Sequence, residues 1–331
     1  MTELIITRRR PEAVPPPAAD TLAWATPYAA VDRLAAEWAW QSRIPVGELT
    51  ILAGLGGTGK GLLTVDLAAR ISRGDPLPGC TELQAPGNVL LVSAEDDPNV
   101  ITVNRLTAAG ADISRIFDLS APGGVPFELP GHLPVLRQAV TETRARLVVL
   151  DPLAGIAPIP LTSVARVRGL LAPLRQLAQD TGTAIVITHH LTKGGTVAGS
   201  RAIIDGVRSV LTLERDSAVE SIRVLSVAKS NMGSDDVPLV KYKVVSGTEA
   251  ACIEYVTETA GEAITAEDQV LAALPDGGSA VTGQEIAARS GMPYSNVRIM
   301  LARLVASGRA CSPRHGTFSR ASTTTGQEIA R

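Results

Sequence analysis

The sequence predicts an α/β protein with a mostly parallel central sheet, followed by a small domain of three helices and a β-hairpin. Apolar runs alternate with helical patterns between about residue 49 and residue 230. Uninterrupted apolar strands are typical of parallel sheets, which are buried on both faces, and strand–helix alternation indicates βαβ units. After Gly261 the pattern changes to short helices with their own start signals, which indicates a second domain.

The composition narrows the class of protein. Of 331 residues, 45% are apolar and 19% are charged, which is enough apolar material for a core. The net charge is −2, so any contact with nucleic acid must come from a local basic patch. The N-terminal segment lacks the apolar run of a signal peptide, and the most apolar stretch is interrupted by Asp151 and three prolines. We therefore expect a cytoplasmic protein without membrane contact.

The first domain is expected to span residues 29–260, after a flexible Pro-rich tail at 1–28. Its parallel strands are expected at residues 49–54, 88–95, 146–151, 183–190 and 209–215. Helices are expected at 62–71 and 165–180, where apolar residues recur at helical spacing. Three later runs follow one another without helices and are expected to extend the sheet as antiparallel hairpins; they cover 221–229, 241–247 and 251–257.

A glycine-rich segment, GLGGTGKG, lies between the first of these strands and the first helix. Its glycines let backbone N–H groups surround phosphates, and the positive end of the following helix adds a favourable field. Lys60 supplies a mobile positive charge for the β- and γ-phosphates. The sequence therefore predicts a P-loop that binds ATP through Gly54, Gly56, Gly57, Thr58, Gly59, Lys60, Gly61 and Leu62.

One position departs from the P-loop pattern. Gly61 stands where a serine or threonine hydroxyl ordinarily ligates Mg²⁺. Because Mg²⁺ keeps several waters readily, a water can take the place of the hydroxyl. We expect ATP and Mg²⁺ to bind, with Asp151 as the acid that holds the metal through water.

Acidic residues follow two of the expected strands. Asp151 ends the run RLVVLD, and the carboxyl ends of parallel strands face the ligand crevice. Glu95 ends a neighbouring run and is the candidate for orienting the attacking water. Asp96 and Asp97 compete for that role, although an acid before Pro98 is more typical of a helix N-cap.

The second domain, residues 261–320, has a sequence pattern that predicts a helix-turn-helix. A flexible tail is expected at 321–331. The segments TAED and TGQE each read as a capping box, and three helices are expected at 265–274, 283–290 and 294–307. In the third helix an apolar stripe is formed by Val297, Met300, Leu301, Leu304 and Val305. Residues 309–320 are expected to form a β-wing around Gly316, which completes a winged helix.

Such a domain binds duplex DNA by seating its third helix in the major groove while the wing meets phosphates. The expected DNA contacts are Tyr294, Ser295, Asn296 and Arg298 on the helix and Arg314 on the wing, near Arg303, Arg309, His315 and Arg320. The alternative is a winged helix that contacts protein or serves as a structural cap.

These motifs, taken in order, resemble a known family. WAWQSRIPVGELTILAG precedes the P-loop, and SAEDD, VVLDP, IVITHHLTKGG, AGSRAIIDGVR and VAKSNMG follow it. Over about residues 38–235 the chain resembles the RecA-like ATPases, and most closely the RepA-type plasmid and phage replicative helicases. The resemblance implies a homo-oligomer, a hexamer above all, that encloses single-stranded DNA.

The resemblance also implies roles for individual residues. Glu95 matches the catalytic glutamate, and the pair His189 and His190 matches the γ-phosphate sensor, with His190 the better match. Arg208 matches an arginine finger that reaches the nucleotide of a neighbouring subunit. Arg201 is its rival, and Lys229 assists.

The resemblance implies that two loops approach the central DNA strand, one after the strand that ends at Asp151 and one after the histidine pair. Here the first loop, residues 154–162, carries no charge, and the second, residues 191–199, carries only Lys193. Because affinity for nucleic acid comes mainly from neutralised phosphates, we expect weak binding of single-stranded DNA. Three functions stay open: an ATP-dependent helicase or translocase, a RecA-like oligomeric switch without unwinding, and a non-hydrolysing DNA-binding assembly factor.

Overall fold

The computed structural model describes residues 26–33, 35–120, 125–192, 194–217, 219–233, 237–247, 250–256, 266–275, 279–292, 294–314 and 316–321. The chain divides into two compact units, Met1–Ala36 and Glu37–Arg331. The described part of the first unit contains a 3-10 helix at Tyr28–Ala30 without buried residues. The elements that follow belong to the second unit. The expected tails, 1–28 and 321–331, lie almost wholly outside the described residues.

A large mixed sheet forms the centre of the second unit. The first eleven strands of this unit are β1 (Trp38–Trp40), β2 (Ile44–Pro45), β3 (Leu49–Gly54), β4 (Asn88–Ser93), β5 (Ile116–Asp118), β6 (Ala145–Asp151), β7 (Ala184–His190), β8 (Ser209–Arg215), β9 (Ile222–Ser230), β10 (Val240–Ser246) and β11 (Ala251–Tyr255). Among the described residues, nine of them form one sheet in the order β11-β10-β9-β8-β3-β7-β6-β4-β5. The two short strands β1 and β2 pair with each other.

The sheet is parallel on one side and antiparallel on the other. From β8 through β3, β7, β6 and β4 to β5 every pairing is parallel. From β8 through β9 and β10 to β11 every pairing is antiparallel. The mostly parallel sheet and its extension by hairpins, both expected from the sequence, are confirmed.

Helices cover both faces of this sheet. They are α1 (Lys60–Arg73), α2 (Val103–Ala108), α3 (Leu133–Thr143), α4 (Leu153–Ile156), α5 (Val164–Thr181) and α6 (Ala202–Asp205). Because successive side chains of a strand point to opposite faces, Ile51 of β3 packs in the core under α3 to α6, and Leu52 packs under α1 and α2. The sequence did not single out α2, α3, α4, α6 or β5.

The parallel pairings bring the predicted site to one edge of the sheet. Gly54 at the end of β3 lies opposite His190 at the end of β7, and Ser93 of β4 lies opposite Asp151 of β6. We call this the carboxyl edge. The opposite end, where β3 and β8 begin, is the amino edge.

Three further helices and a small sheet form the C-terminal part of the second unit. These elements are α7 (Ala266–Ala273), β12 (Val281–Thr282), α8 (Gly283–Ser290), α9 (Tyr294–Ala306), β13 (Ala310–Arg314) and β14 (Thr317–Arg320). Thr282 and Glu285 form the capping box expected for α8. The other expected box begins at Thr265, outside the described residues. Four members of the α9 stripe are buried, whereas Val305, expected in the stripe, is 37% exposed.

The C-terminal helices pack on the central sheet through a buried polar contact. The Nδ2 of Asn296 in α9 donates to Thr212 Oγ1 of β8 (2.9 Å) and to Ser226 Oγ of β9 (3.1 Å). Those two hydroxyls also bond each other at 2.8 Å, and Asn296 is 2% exposed. We call these three residues the polar junction.

No helix among the described residues is both long and apolar enough to cross a membrane.

Candidate nucleotide site

The glycine-rich loop joins β3 to α1 with the backbone that a phosphate cradle needs. Gly57 and Gly59 have φ angles of 71° and 94°, which glycine adopts without strain. A Cβ atom at Gly54 would lie 2.7 Å from the carbonyl oxygen of Leu213 and 2.8 Å from Thr58 Oγ1, so only glycine fits there. Helix α1 then begins at Lys60, with its first N–H groups at the loop.

Lys60 is folded into the loop. Its Nζ donates to the carbonyl oxygens of Gly54 (3.0 Å) and Leu55 (3.1 Å) and lies 3.5 Å from Nδ1 of His190. The residue is 7% exposed, and burial lowers the pKa of Lys60 while the carboxylates of Asp151 and Glu95 raise it. A buried ammonium held by two carbonyls and facing two acids is placed to exchange those carbonyls for phosphate oxygens.

Two side chains from the antiparallel strands hold the outer carbonyls of the loop. Arg223 of β9, which is 8% exposed, donates from Nε to the carbonyl oxygen of Thr58 at 3.0 Å. The buried Tyr242 of β10 donates from its hydroxyl to the carbonyl oxygen of Gly59 at 3.5 Å. In a trans peptide the C=O and the following N–H point in opposite directions. Fixing these carbonyls outward therefore turns the next two N–H groups, of Gly59 and Lys60, into the loop.

Asp151 faces the position that lacks a hydroxyl. Its Oδ1 accepts a hydrogen bond from Thr188 of β7, and a Cβ atom built on Gly61 would lie 3.5 Å from its Oδ2. Burial raises the pKa of Asp151, and the nearby carboxylates of Asp96 and Glu95 add to that shift, while the Thr188 hydroxyl opposes it. A buried carboxylate beside the position of the missing hydroxyl is the kind of oxygen ligand that Mg²⁺ takes, and a water can supply the ligand that the hydroxyl does not.

The acids after β4 have separate environments. Glu95 is exposed at the carboxyl edge, and its charge acts on Lys60 and Asp151. Asp97 caps the following π-helical turn by accepting from the N–H groups of Asn99 and Val100, as expected for an N-cap acid. Asp96, expected to be a cap as well, instead forms an ion pair with Arg105 at 2.5 Å.

Arg105 was missed by the sequence reading. A Cβ atom on Gly61 would lie 3.8 Å from its Nη1, so α2 brings a guanidinium to the mouth of the loop. Its partner Asp96 lies nine residues earlier in the sequence, and no spacing signal links the two. Among the described residues, Glu95 is an acid next to the loop that forms no ion pair.

The two adjacent histidines at the end of β7 point in different directions, as alternation along a strand requires. His190 turns toward Lys60, where a phosphate sensor belongs. His189 is 2% exposed, and its Nε2 bonds the carbonyl oxygen of Ala198 at 2.7 Å. Burial lowers the pKa of His189, so the ring is neutral and donates. In this arrangement His189 faces away from the loop and holds the backbone at Ala198, so its expected contact with nucleotide stays a prediction.

The basic residues expected at the γ-phosphate lie at the amino edge. The N–H of Arg208 bonds the carbonyl oxygen of Leu49, at the start of β3, and Lys229 pairs with Val210 near the start of β8. The P-loop begins at the other end of β3, about 16 Å away at the usual rise per strand residue. Arg208 therefore cannot serve the nucleotide of its own chain.

The two companions of Arg208 differ in exposure. Arg201 is 86% exposed and lies 3.6 Å from Asp205, so its charge is open to a partner. The ammonium of Lys229 donates to the carbonyl oxygens of Ile204 (2.7 Å) and Val207 (2.9 Å), and burial lowers its pKa. Lys229 therefore stabilises the turn that carries Arg208 and does not bind nucleotide in this arrangement.

The expected DNA contacts of the C-terminal part separate in the same way. Tyr294, Arg298 and Arg314 are exposed. Asn296 is buried in the polar junction, so its expected contact with a base stays a prediction that this arrangement of the helix does not support. Arg309 forms ion pairs with Glu267 and Asp268, which reduces the open charge of the hairpin. Lys193, His315 and the side chain of Ser295 lie outside the described residues.

Comparison with known proteins places this site in a family. The family model described as "AAA domain" matches residues 16–196, more than half of the chain and the segment that carries the P-loop, Asp151 and both histidines. The chain belongs to this AAA domain family. With its mostly parallel sheet, this member is a P-loop ATPase of the RecA-like type.

Curated relatives match a little over half of the chain. Proteins named "DNA repair protein RadA" from Halalkalibacterium halodurans, Streptococcus pneumoniae and Bacillus subtilis are 27%, 29% and 26% identical over 192 residues. The match covers 57% of this chain and 37%, 40% and 37% of these relatives, so the chain spans well under half of their length. The similarity therefore covers part of this chain and a smaller part of each relative.

Proposed function

We propose that the protein is an ATP-dependent DNA helicase or translocase of the RepA type, which hydrolyses ATP between subunits in the replication of a plasmid, phage or integrated element. One observation carries the proposal: the ATPase machinery is divided between two edges of one sheet. The P-loop, Asp151 and His190 lie at the carboxyl edge, and Arg208 lies at the amino edge. A molecule built in this way completes its site with a second copy.

The residues at the carboxyl edge suit phosphoryl transfer to water. The loop amides and Lys60 bind the phosphate oxygens, and Asp151 holds hydrated Mg²⁺, which neutralises charge on the phosphates. Glu95, exposed and without an ion-pair partner among the described residues, orients the attacking water. His190 donates from its ring N–H to a γ-phosphate oxygen and loses that contact when the phosphate leaves.

Oligomerisation follows from the position of Arg208. A face that presents Arg208 to another copy's P-loop is a head-to-tail interface, and head-to-tail interfaces close into rings when the rotation permits. We infer a hexamer from the resemblance to ring helicases. In such a ring the guanidinium of Arg208 stabilises the charge that develops on the γ-phosphate, an effect worth about 10³ to 10⁵ in rate in related ATPases.

The adjacent histidines offer a route from phosphate to DNA. His190 contacts the phosphate region, and the next residue back along β7, His189, holds the carbonyl oxygen of Ala198. The segment 191–199, which follows His190 and contains Ala198, is the expected contact for single-stranded DNA, through Lys193. A shift of β7 on phosphate release therefore moves this segment, which is the elementary step of a translocase.

The C-terminal helices and hairpin are proposed to be a winged helix that meets duplex DNA. The exposed residues Tyr294, Arg298 and Arg314 support this role, and the relatives' name, DNA repair protein, agrees with contact to DNA. Because Asn296 is buried and Arg309 is paired, fewer groups are open than the sequence predicted. We propose a recruiting contact of modest affinity.

A second candidate is an ATP-driven oligomeric switch that does not unwind DNA. The polar junction favours it, because a C-terminal domain fixed to β8 and β9 follows the nucleotide state of the sheet. Gly61 favours a third candidate, a non-hydrolysing assembly factor.

ATPase assays with and without single-stranded DNA separate the three candidates. Stimulation by DNA supports the helicase, a basal rate indifferent to DNA supports the switch, and no turnover supports the assembly factor.

Unwinding itself is tested by strand displacement. We expect the full chain to release a labelled strand from a tailed duplex in ATP and Mg²⁺. Lys60→Ala, which removes the phosphate-binding ammonium, is the control and is expected to be inactive. DNA-stimulated ATP hydrolysis without strand release, on substrates with either a 5′ or a 3′ tail, would refute unwinding. It would remain compatible with translocation.

A further inference from the structure

A buried carboxylate lies at the amino edge, outside the machinery described so far. Glu48 immediately precedes β3, is 8% exposed, and its backbone carbonyl accepts a hydrogen bond from the N–H of Ile185. Its Oε1 accepts from Nε2 of Gln179 at 3.2 Å. Its Oε2 is buried without a hydrogen-bond partner among the described residues. A carboxylate in such a place is costly unless it serves a nearby cation.

That cation is Arg208. The Nε of Arg208 lies 3.7 Å from Oε1 of Glu48. The backbone of Arg208 is fixed on both sides, because its N–H bonds Leu49 and its carbonyl oxygen accepts from Asn231 (3.0 Å). Its side chain is 43% exposed, and its two terminal nitrogens make no hydrogen bond within the described part of the chain. The inner nitrogen therefore faces Glu48, while the outer two remain available.

We propose that Glu48 is the positioning residue of Arg208, holding the guanidinium so that its terminal nitrogens face the nucleotide of a neighbouring copy. The proposal rests on the function proposed above, because it presumes that Arg208 acts between subunits. The negative charge matters for the direction of the side chain, since Arg208 loses many rotamers when its inner nitrogen is held. Pre-orientation of this kind is valuable because a displacement of about 1 Å at a reacting centre costs up to about 100-fold in rate.

The position of Glu48 at the start of β3 links neighbouring nucleotide sites in the proposed oligomer. Strand β3 begins next to Glu48 and ends in the P-loop, so one strand joins the group that aims at a neighbour's phosphate to the loop that binds the chain's own. Contact between Arg208 and a phosphate draws the guanidinium toward the neighbour and leaves Glu48 with less compensation. Each nucleotide site is thereby linked to the next around the oligomer.

The test separates the two roles of a subunit. A Lys60→Ala chain lacks its own phosphate site and donates only Arg208; an Arg208→Ala chain donates only the P-loop. Mixed together, they form working sites at the interfaces where the two meet. Glu48→Gln, which keeps the shape and removes the charge, is then placed in one partner at a time, and steady-state ATP turnover of the mixture is measured.

We expect Glu48→Gln in the arginine donor to lower the turnover of the mixture by about tenfold, and the same change in the P-loop donor to leave it unaltered. Glu48→Asp in the arginine donor, which keeps the charge, should restore most of the rate. Asp205→Asn, which removes a carboxylate from the same edge, is the matched control and should have little effect. Binding of an ATP analogue by full-length Glu48→Gln verifies that the chain is folded.

Two results would overturn the proposal. Equal loss with the change in either donor would mean that Glu48 serves its own strand and P-loop. An unchanged rate in both arms would mean that Arg208 needs no orienting carboxylate. A parent mixture that never recovers turnover is a different failure, because it refutes the shared site itself and the inference falls with it.

Discussion

Single side chains decide where the loop amides point. Arg223 and Tyr242 lie 165 and 183 residues away from the loop carbonyls that they hold, on strands beyond the parallel part of the sheet. Their hydrogen bonds present the N–H groups of Gly59 and Lys60 to a ligand before it arrives. Rigid donors of this kind lose little entropy on binding. The antiparallel extension is thus part of the phosphate site.

Removing the Arg223 contact should weaken nucleotide binding. We expect Arg223→Met to raise the Kd for ATP by about tenfold, the loss of one charge-assisted hydrogen bond. Calorimetric titration of the full chain measures it. Arg215→Met is the comparison variant, because the exposed Arg215 donates to another loop carbonyl, that of Gly57, at 3.4 Å. We expect a smaller rise in Kd for it, since water screens an exposed contact. Equal affinity of Arg223→Met and wild type would show that the loop holds itself.

Gly61 sets the metal dependence. A serine side chain there meets Asp151 Oδ2 and Arg105 Nη1 at ordinary contact distances, 3.5 and 3.8 Å from its Cβ. We expect Gly61→Ser to keep ATP binding and to lower the Mg²⁺ concentration for half-maximal turnover several-fold, since a hydroxyl replaces a water as ligand. A Mg²⁺ titration of the rate measures the shift. Complete loss of ATP binding would refute the assigned loop geometry.

His189 makes stability depend on pH. Burial lowers its pKa below the ordinary 6.5, so the folded chain resists the proton that the unfolded chain accepts. Its stabilising effect is complete above pH 6.5 and is lost as the pH falls from there toward the lower folded pKa. We expect the free energy of unfolding to fall less between pH 7.5 and 5.5 in His189→Asn than in wild type. Denaturant unfolding at both pH values measures it. An equal fall in the free energy of unfolding in His189→Asn and wild type would contradict a neutral buried ring.

At the scale of elements, sequence patterns located the strands well. The runs at 49–54, 146–151, 183–190 and 209–215 became β3, β6, β7 and β8 within a residue at each end, because an apolar strand between two helical layers leaves a continuous signature. Helix α8 was located through its capping box. Short elements such as β5, with half-buried or exposed residues, carry no such pattern.

Contacts between distant elements could not be read in the same way. Asn296 follows the turn of the predicted helix-turn-helix, where a polar side chain suggests a base contact, yet it fills a polar gap on β8 and β9. Tandem histidines at a strand end suggested a shared role, and strand alternation separated them. In both cases the residue type was informative, and its direction depended on the tertiary fold.

The polar junction should stabilise the docked C-terminal helices. We expect Asn296→Ala to lower the free energy of unfolding by about 1 to 3 kcal/mol, because the amide's two buried hydrogen bonds are lost. Thr212 and Ser226 keep their bond to each other, which limits the loss. Chemical denaturation measures the change, with exposed Arg298→Ala as control. A larger loss of duplex DNA binding in Asn296→Ala than in Arg298→Ala would indicate that Asn296 contacts DNA.

The whole molecule is organised by the length of one strand. Strand β3 separates the phosphate loop from Arg208 by about 16 Å, so under the proposed function each edge of the sheet carries half of a catalytic site. In the proposed head-to-tail assembly the two halves meet, and the C-terminal helices, fixed on β8 and β9, are expected to move with the sheet that carries both. Turnover should therefore rise with protein concentration, faster than in proportion.

The division of the site is tested most directly by mixing two inactive chains. Lys60→Ala lacks the phosphate ammonium and Arg208→Ala lacks the guanidinium, and each alone should hydrolyse almost no ATP. Random assembly of equal amounts leaves about one interface in four with an intact loop facing an intact arginine, so the mixture should regain a substantial part of the wild-type rate. A mixture that stays as inactive as its components would contradict a site shared between subunits.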